Sequence, residues 1–139
     1  MAETIDELIK IKPFSLGFEE KRTRFMRHIS ESIKFHYQNC HDYQNYCKKK
    51  NFHPDNIVDI SNIPFLPMDI FKKMTLLSVP ESEIIKIVKS SATTSNIPST
   101  IHLDKKTVNR QIISLNSILR DFIGEEKMNF IIIDNKKTL

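Results

Sequence analysis

Apolar positions recur at steps of three and four through the first third of the chain and give way to β-branched runs in the second half. Residues 4–11 place Ile5, Leu8 and Ile9 on one face of a short helix, which Pro13 ends. A long helix follows. Gly17 can cap it, and Glu19 and Glu20 lie where the helix dipole favours negative charge. Phe18, Phe25, Met26, Ile29, Ile33, Tyr37 and Cys40 keep the helical period. The polar cluster at 39–42 predicts a break. A second short helix then carries Tyr43, Tyr46 and Cys47, with Lys48, Lys49 and Lys50 at its C-terminal end.

Residues 51–80 follow another rule. Pro54, Pro64, Pro67 and Pro80 punctuate an apolar stretch, which predicts turns packed on a core and one short helix near 68–73. From Glu83 the signal becomes strand-like: Ile84, Ile85, Ile87 and Val88 alternate loosely with Lys86 and Lys89. The hydroxyl-rich turn 90–99 leads to a second strand at 100–103. Asp104 is the predicted cap of a helix from Lys105 to about Phe122, with Val108, Ile112, Leu115 and Leu119 on one face and Gly124 just past the end. The run Phe130 to Ile133 reads as a strand buried on both faces of a sheet. Such a strand needs neighbours, and only six residues follow it. The expectation is therefore an α/β sheet whose remainder lies elsewhere, in another chain or in a longer reading frame.

Length and composition narrow the classes. The chain has 139 residues, 40% hydrophobic and 27% charged, values that suit one folded domain. The net charge of +4 is spread along the chain and does not by itself indicate nucleic acid. No apolar run approaches the ~18 residues of a membrane span, and the acidic start lacks the layout of a secretory signal. With Cys40 and Cys47 as the two cysteines, the expectation is a cytoplasmic protein with free thiols. The two glycines, Gly17 and Gly124, exclude glycine-patterned phosphate loops such as the Walker loop or a dinucleotide fingerprint.

Candidate chemistry is concentrated in one place. Ser90, Ser91, Thr93, Thr94 and Ser95 fall within six positions between two predicted strands. Short hydroxyls and turn N–H groups at that density can surround a phosphate; they also suit an ordinary polar hairpin turn. His36, Cys40, His41, Cys47 and His53 form a loose cluster without a paired zinc spacing, and the two cysteines fall on apolar faces, where packing is the expected role. Lys21, Arg22, Arg24, Arg27 and Lys34 alternate with Glu19, Glu20 and Glu31, the pattern of a solvated helix face. Asp104 suits a cap, Asp134 a strand end, and His102 could face a ligand or solvent. No catalytic set and no metal site can be assembled from these residues.

The blocks IPFLPMDIFKK (63–73), SSATTSNIPSTIHLDKKTVNRQ (90–111), FIG (122–124) and FIIID (130–134) resemble the LuxE-type acyl-protein synthetases, a branch of the adenylate-forming ligases related to phenylacetate–CoA ligase. The segment KFHYQNCHDYQNYCKKKNF (34–52) is similar to the family's helical signature. The resemblance implies an incomplete α/β fold. It treats 1–139 as a single partial domain, with a mainly helical, proline-rich front (1–80) and the strand–loop–strand–helix–strand start of a nucleotide domain (81–139). It implies ATP-dependent activation of a fatty acid as an acyl-adenylate for transfer to a protein cysteine. ATP with Mg would be the cofactors, with Ser90, Ser91, Thr93 and Thr94 on the phosphates. The expected partners are a fatty acid and possibly a second chain carrying the rest of the ligase, with no nucleic acid. Two family glycines are Ala92 and Ser95 here, which implies as an alternative a non-catalytic remnant or partner-binding fragment that has lost ATP. Cys40 and Cys47 do not match the family's acyl-accepting cysteine.

Overall fold

Among the described α-helices, the first and the last start at a side-chain cap. In the computed structural model, which describes residues 3–90, 97–127, 129 and 131, Thr4 and Glu7 form a reciprocal capping box for α1 (Ile5–Leu8). This helix is shorter than the expected 4–11, because Lys10 and Ile11 close tighter turns onto Glu7 and Leu8 ahead of Pro13. Gly17 precedes α2 (Phe18–Asn39), and Cys40 is the hinge between it and α3 (His41–Lys49). Cys40 takes extended backbone angles while its N–H still donates to His36 and its carbonyl accepts from Gln44. One residue thus ends a helix and starts the next. Asn51, at φ 52°, takes the left-handed conformation that terminates α3, and the Phe52 N–H donates back to the Cys47 carbonyl.

The turn at Cys40 folds α3 onto α2, and the core forms in the angle. Cys47 is completely buried, and Ile33, Cys40 and Tyr43 are buried with it. Ile29, Tyr37, Phe52, Ile57, Ile63 and Leu66 pack around them. The proline-rich segment thus lies on the core, as its composition predicts. It is held by polar ties too: Lys34 to Asp55 (2.8 Å), Arg22 to Asp59 (3.2 Å), and the Tyr46 hydroxyl donating to the Phe65 carbonyl (2.5 Å). Single 3-10 turns at Pro54–Asn56 and Ile60–Asn62 precede α4 (Ile70–Lys73).

The second half is a hairpin and a helix. After a 3-10 turn at Glu81–Glu83, β1 (Ile84–Lys89) pairs antiparallel with β2 (Thr100–Asp104). Ile84 opposes Asp104 and Lys86 opposes Leu103, so Ile85 is the extra residue of a bulge. Asp104 ends the strand and caps α5 (Lys105–Ile123), its carboxylate accepting from the Thr107 N–H at 2.7 Å. Gly124 closes α5 at φ 81°, a value that favours glycine. Helix α5 lies against both strands. Arg110 on α5 clasps Asp6 of α1 with two bonds of 2.7 and 2.8 Å, and Glu3 takes Arg24 and Arg27 from α2. The first residues are therefore tied to both long helices.

The apolar face expected on α5 is present and largely uncovered among the described residues. Ile112, Leu115 and Leu119 do form a stripe on α5, yet they remain 51%, 57% and 41% exposed among the described residues. The period is right because helical spacing alone sets it; burial needs a covering element. The doubly buried strand at 130–133 lies almost wholly outside the described residues; Ile131, which is described, is outside any strand and 90% exposed.

Ile33→Ala is expected to lower unfolding free energy by about 2–5 kcal/mol in urea melts, since it empties volume beside Cys47. Asp104→Ala is expected to cost about 1 kcal/mol through the lost cap. The Thr107 hydrogen bonds hold the Asp104 carboxyl below its ordinary value. Its contribution is thus complete above the unfolded-state value of about 3.9 and fades as pH falls through the lowered native value. The Ala variant should lose that part of the acid dependence.

Candidate functional site

The β1–β2 turn is tied shut at its base. The Ser90 N–H donates to the Ser99 carbonyl, and the Ser99 N–H donates to Ser90 Oγ, both at 3.0 Å. Ser99 is buried. Ser90 Oγ accepts in this contact. Ser91, Thr93 and Thr94, the other proposed phosphate contacts, lie outside the described residues, as do Ala92 and Ser95.

A cavity of about 340 Å³ opens at the opposite end of the hairpin. That volume is at the lower end of the ~300–1,000 Å³ typical of ligand sites. Helices α2 and α3 contribute Phe35, His36, Cys40 and Tyr43; Leu66 and Phe71 come from around α4. The segment Leu76 to Val79 forms another side, and Ile84, His102 and Asp104 come from the sheet. The walls are mostly apolar. The polar groups gather in two places: His36 with Ser78, whose Nδ1 and Oγ are 2.7 Å apart, and His102 with Asp104 and Thr107.

The electrostatics of this cavity are set by desolvation and one cap. The His36 ring meets Phe35 and Tyr43 edge-on, at 5.5 and 6.5 Å, and burial pushes its pKa below the ordinary imidazole value. Burial pushes the Tyr43 hydroxyl up, reinforced by its hydrogen bond with Cys47. Burial likewise raises the Cys47 thiol, against the opposing Tyr43 hydrogen bond. Asp104 is the ionised exception, kept so by Thr107. Among the described residues the cavity wall thus carries one carboxylate and no Lys or Arg.

The His/Cys cluster read from the sequence is dispersed. His36 faces Ser78, and Cys40 and Cys47 pack in the core. His41 contacts Asn45 (3.2 Å), while His53 accepts from the Asp55 N–H (3.3 Å) and meets the Tyr37 ring. Among the described residues no three His, Cys, Asp or Glu side chains are grouped to hold a metal. Arg22, Arg24, Arg27 and Lys34 are ion-paired with carboxylates. Among the described residues no helix is long and apolar enough to cross a membrane. Sequence reading missed the cavity. One signal was available: His36, Cys40, Tyr43 and Cys47 step by four, three and four, a single stripe through the helix break. Ser78 offered none, being 42 positions from its partner.

Mixed α/β structure with a hydroxyl-rich connection between two strands and an apolar cavity admits several ligand-binding classes, and comparison with known proteins selects among them. Residues 1–138 match the family model described as acyl-protein synthetase, LuxE. The chain belongs to this family. It is similar to a long-chain-fatty-acid–luciferin-component ligase of Aliivibrio fischeri, 33% identical over 87% of this chain and 32% of the relative. The protein of the same description from Vibrio harveyi is 30% identical over 81% of this chain and 29% of its own length. One from Photorhabdus luminescens is 32% identical over 64% of this chain and 77% of the matched sequence. The chain thus spans about a third of the Vibrio harveyi and Aliivibrio fischeri relatives. No solved structure matches it significantly.

His36 should titrate below the usual imidazole value of about 6.5 in an NMR pH series. Because the folded state resists protonation at this site, its share of stability is complete above that value and declines as pH drops toward the native pKa. Phe35→Ala, which opens the ring to water, should move the midpoint upward.

Proposed function

We propose that this chain is the N-terminal portion of an acyl-protein synthetase, which activates a fatty acid with ATP and passes the acyl group to a protein cysteine. The observation that carries the reading is the family match across residues 1–138. The names of the relatives supply the substrate class, a long-chain fatty acid.

In this reading Ser90, Ser91, Thr93 and Thr94 donate hydroxyl hydrogen bonds to the phosphates of ATP. The tied base of the hairpin fixes where that loop leaves and rejoins the sheet. Such a step is served by positioning and charge neutralisation. The fatty-acid carboxylate attacks the α-phosphorus and pyrophosphate leaves. Magnesium would add charge neutralisation, and no residue of this chain is assigned to it. The remaining two-thirds of the ligase, in the same polypeptide or a second chain, supplies the acyl-accepting cysteine. Ala92 and Ser95, standing where the family carries glycine, support a second reading: a module that keeps the fold and has lost ATP.

The test is fatty-acid-dependent exchange of pyrophosphate into ATP, measured on this chain combined with the ligase segment that follows the matched region in its relatives. Exchange is expected. It should fall tenfold or more in Thr93→Ala/Thr94→Ala, since each hydrogen bond to a charged oxygen contributes about 1.5–3 kcal/mol. No exchange, together with no gain in ATP affinity for Ala92→Gly/Ser95→Gly, overturns the enzymatic reading.

A further inference from the structure

We infer that the cavity between α2, α3, the 76–79 segment and β2 holds the hydrocarbon chain of the fatty-acyl substrate, tail first, with the carboxyl end outside it. The inference rests on the fatty-acid reading above and adds a site and an orientation to it.

The wall chemistry selects an aliphatic ligand. Phe35, Tyr43, Leu66, Phe71, Leu76 and Val79 present apolar surface to one space, and burying a chain of methylenes there gains roughly 0.8 kcal/mol for each. The same wall refuses an anion. Among the described residues it has no Lys or Arg; burial disfavours the charged form of His36, the other imidazole is His102, and Asp104 is ionised by its role as a helix cap. A carboxylate placed inside would meet the like charge of Asp104 and no lysine or arginine among the described residues, and burying it unpaired is costly. The methyl end therefore enters. His36 Nδ1 and Ser78 Oγ are bonded to each other, so that contact asks nothing of a hydrocarbon.

The placement also agrees with the position of the hydroxyl turn. His102 and Asp104 alternate with Leu103 along β2 and so share one face, while Ser99, immediately before β2, closes the turn at its other end. Asp104 lies five residue steps beyond Ser99, roughly 17 Å of extended chain at about 3.4 Å per step. A long acyl chain in the cavity can thus direct its carboxyl end along the strand toward the turn.

The experiment is equilibrium dialysis of the full chain with radiolabelled tetradecanoate, without ATP. Saturable binding at one site per chain is expected. 1-Tetradecanol should compete within about threefold of tetradecanoate, because the cavity contacts the chain and excludes the head; octanoate should compete at least tenfold less well, having fewer methylenes to bury. Val79→Phe and Leu76→Trp fill the space and should weaken binding at least tenfold, with circular dichroism confirming the fold. If a filling variant fails to fold, the alcohol and octanoate competitions on the unaltered chain decide. Absence of saturable binding, equal binding by folded filling variants, or competition that requires a carboxylate overturns the inference. Pyrophosphate exchange without such binding would remove the site and leave the enzymatic reading; binding without exchange would do the reverse.

Discussion

The burial of Cys47 against Ile33, Cys40 and Tyr43 is the contact on which the rest of the molecule is arranged. It requires α3 to fold back on α2, which the extended backbone at Cys40 permits. Once that angle is set, it creates a surface for the proline-rich segment, and that segment in turn frames one side of the cavity. The core is small, and a chain of this size with so few fully buried side chains depends heavily on each. Polar ties then do what the core does not. Glu3 and Asp6 connect the start of the chain to α2 and α5 across long sequence separations.

Much of this architecture was legible from period and punctuation. Gly17, Asp104 and Gly124 marked helix ends because caps are local chemistry, and the structure uses all three. The break near residue 40 was legible as a polar cluster, and the β-branched run at 84–89 as a strand. What could not be read was tertiary. The stripe on α5 has the right spacing but stays open, since periodicity reports a face and not its cover. The cavity escaped for a related reason: His36 and Ser78 meet only because the 74–80 segment returns to α2. Of the hydroxyl-rich connection the structure describes the base, where Ser90 and Ser99 bond to each other, and its central residues lie outside the described part.

Strand β2 links the two halves of the candidate site. Its approach residue, Ser99, anchors the turn; its far end, Asp104, borders the cavity and starts α5. A five-residue strand therefore couples the position of a polar loop, an apolar recess and a helix axis. Shifting its register by one residue would exchange His102 and Asp104 for Leu103 on the cavity face and misplace the cap together with it. The pairing with β1 is thus constrained by more than its own hydrogen bonds.

The bulge at Ile85 and the lysines of β1 carry a further meaning. Among the described residues the sheet has two strands and its outer edges are unpaired, and an open edge recruits strands from other molecules. Lys86 and Lys89 space positive charge along a segment otherwise made of isoleucine and valine, and the bulge spoils its flatness. Each copy of β1 would bring its lysines against those of the next in a stacked array. The strand most prone to seed aggregation therefore carries its own repulsion, and it can keep an apolar surface without polymerising.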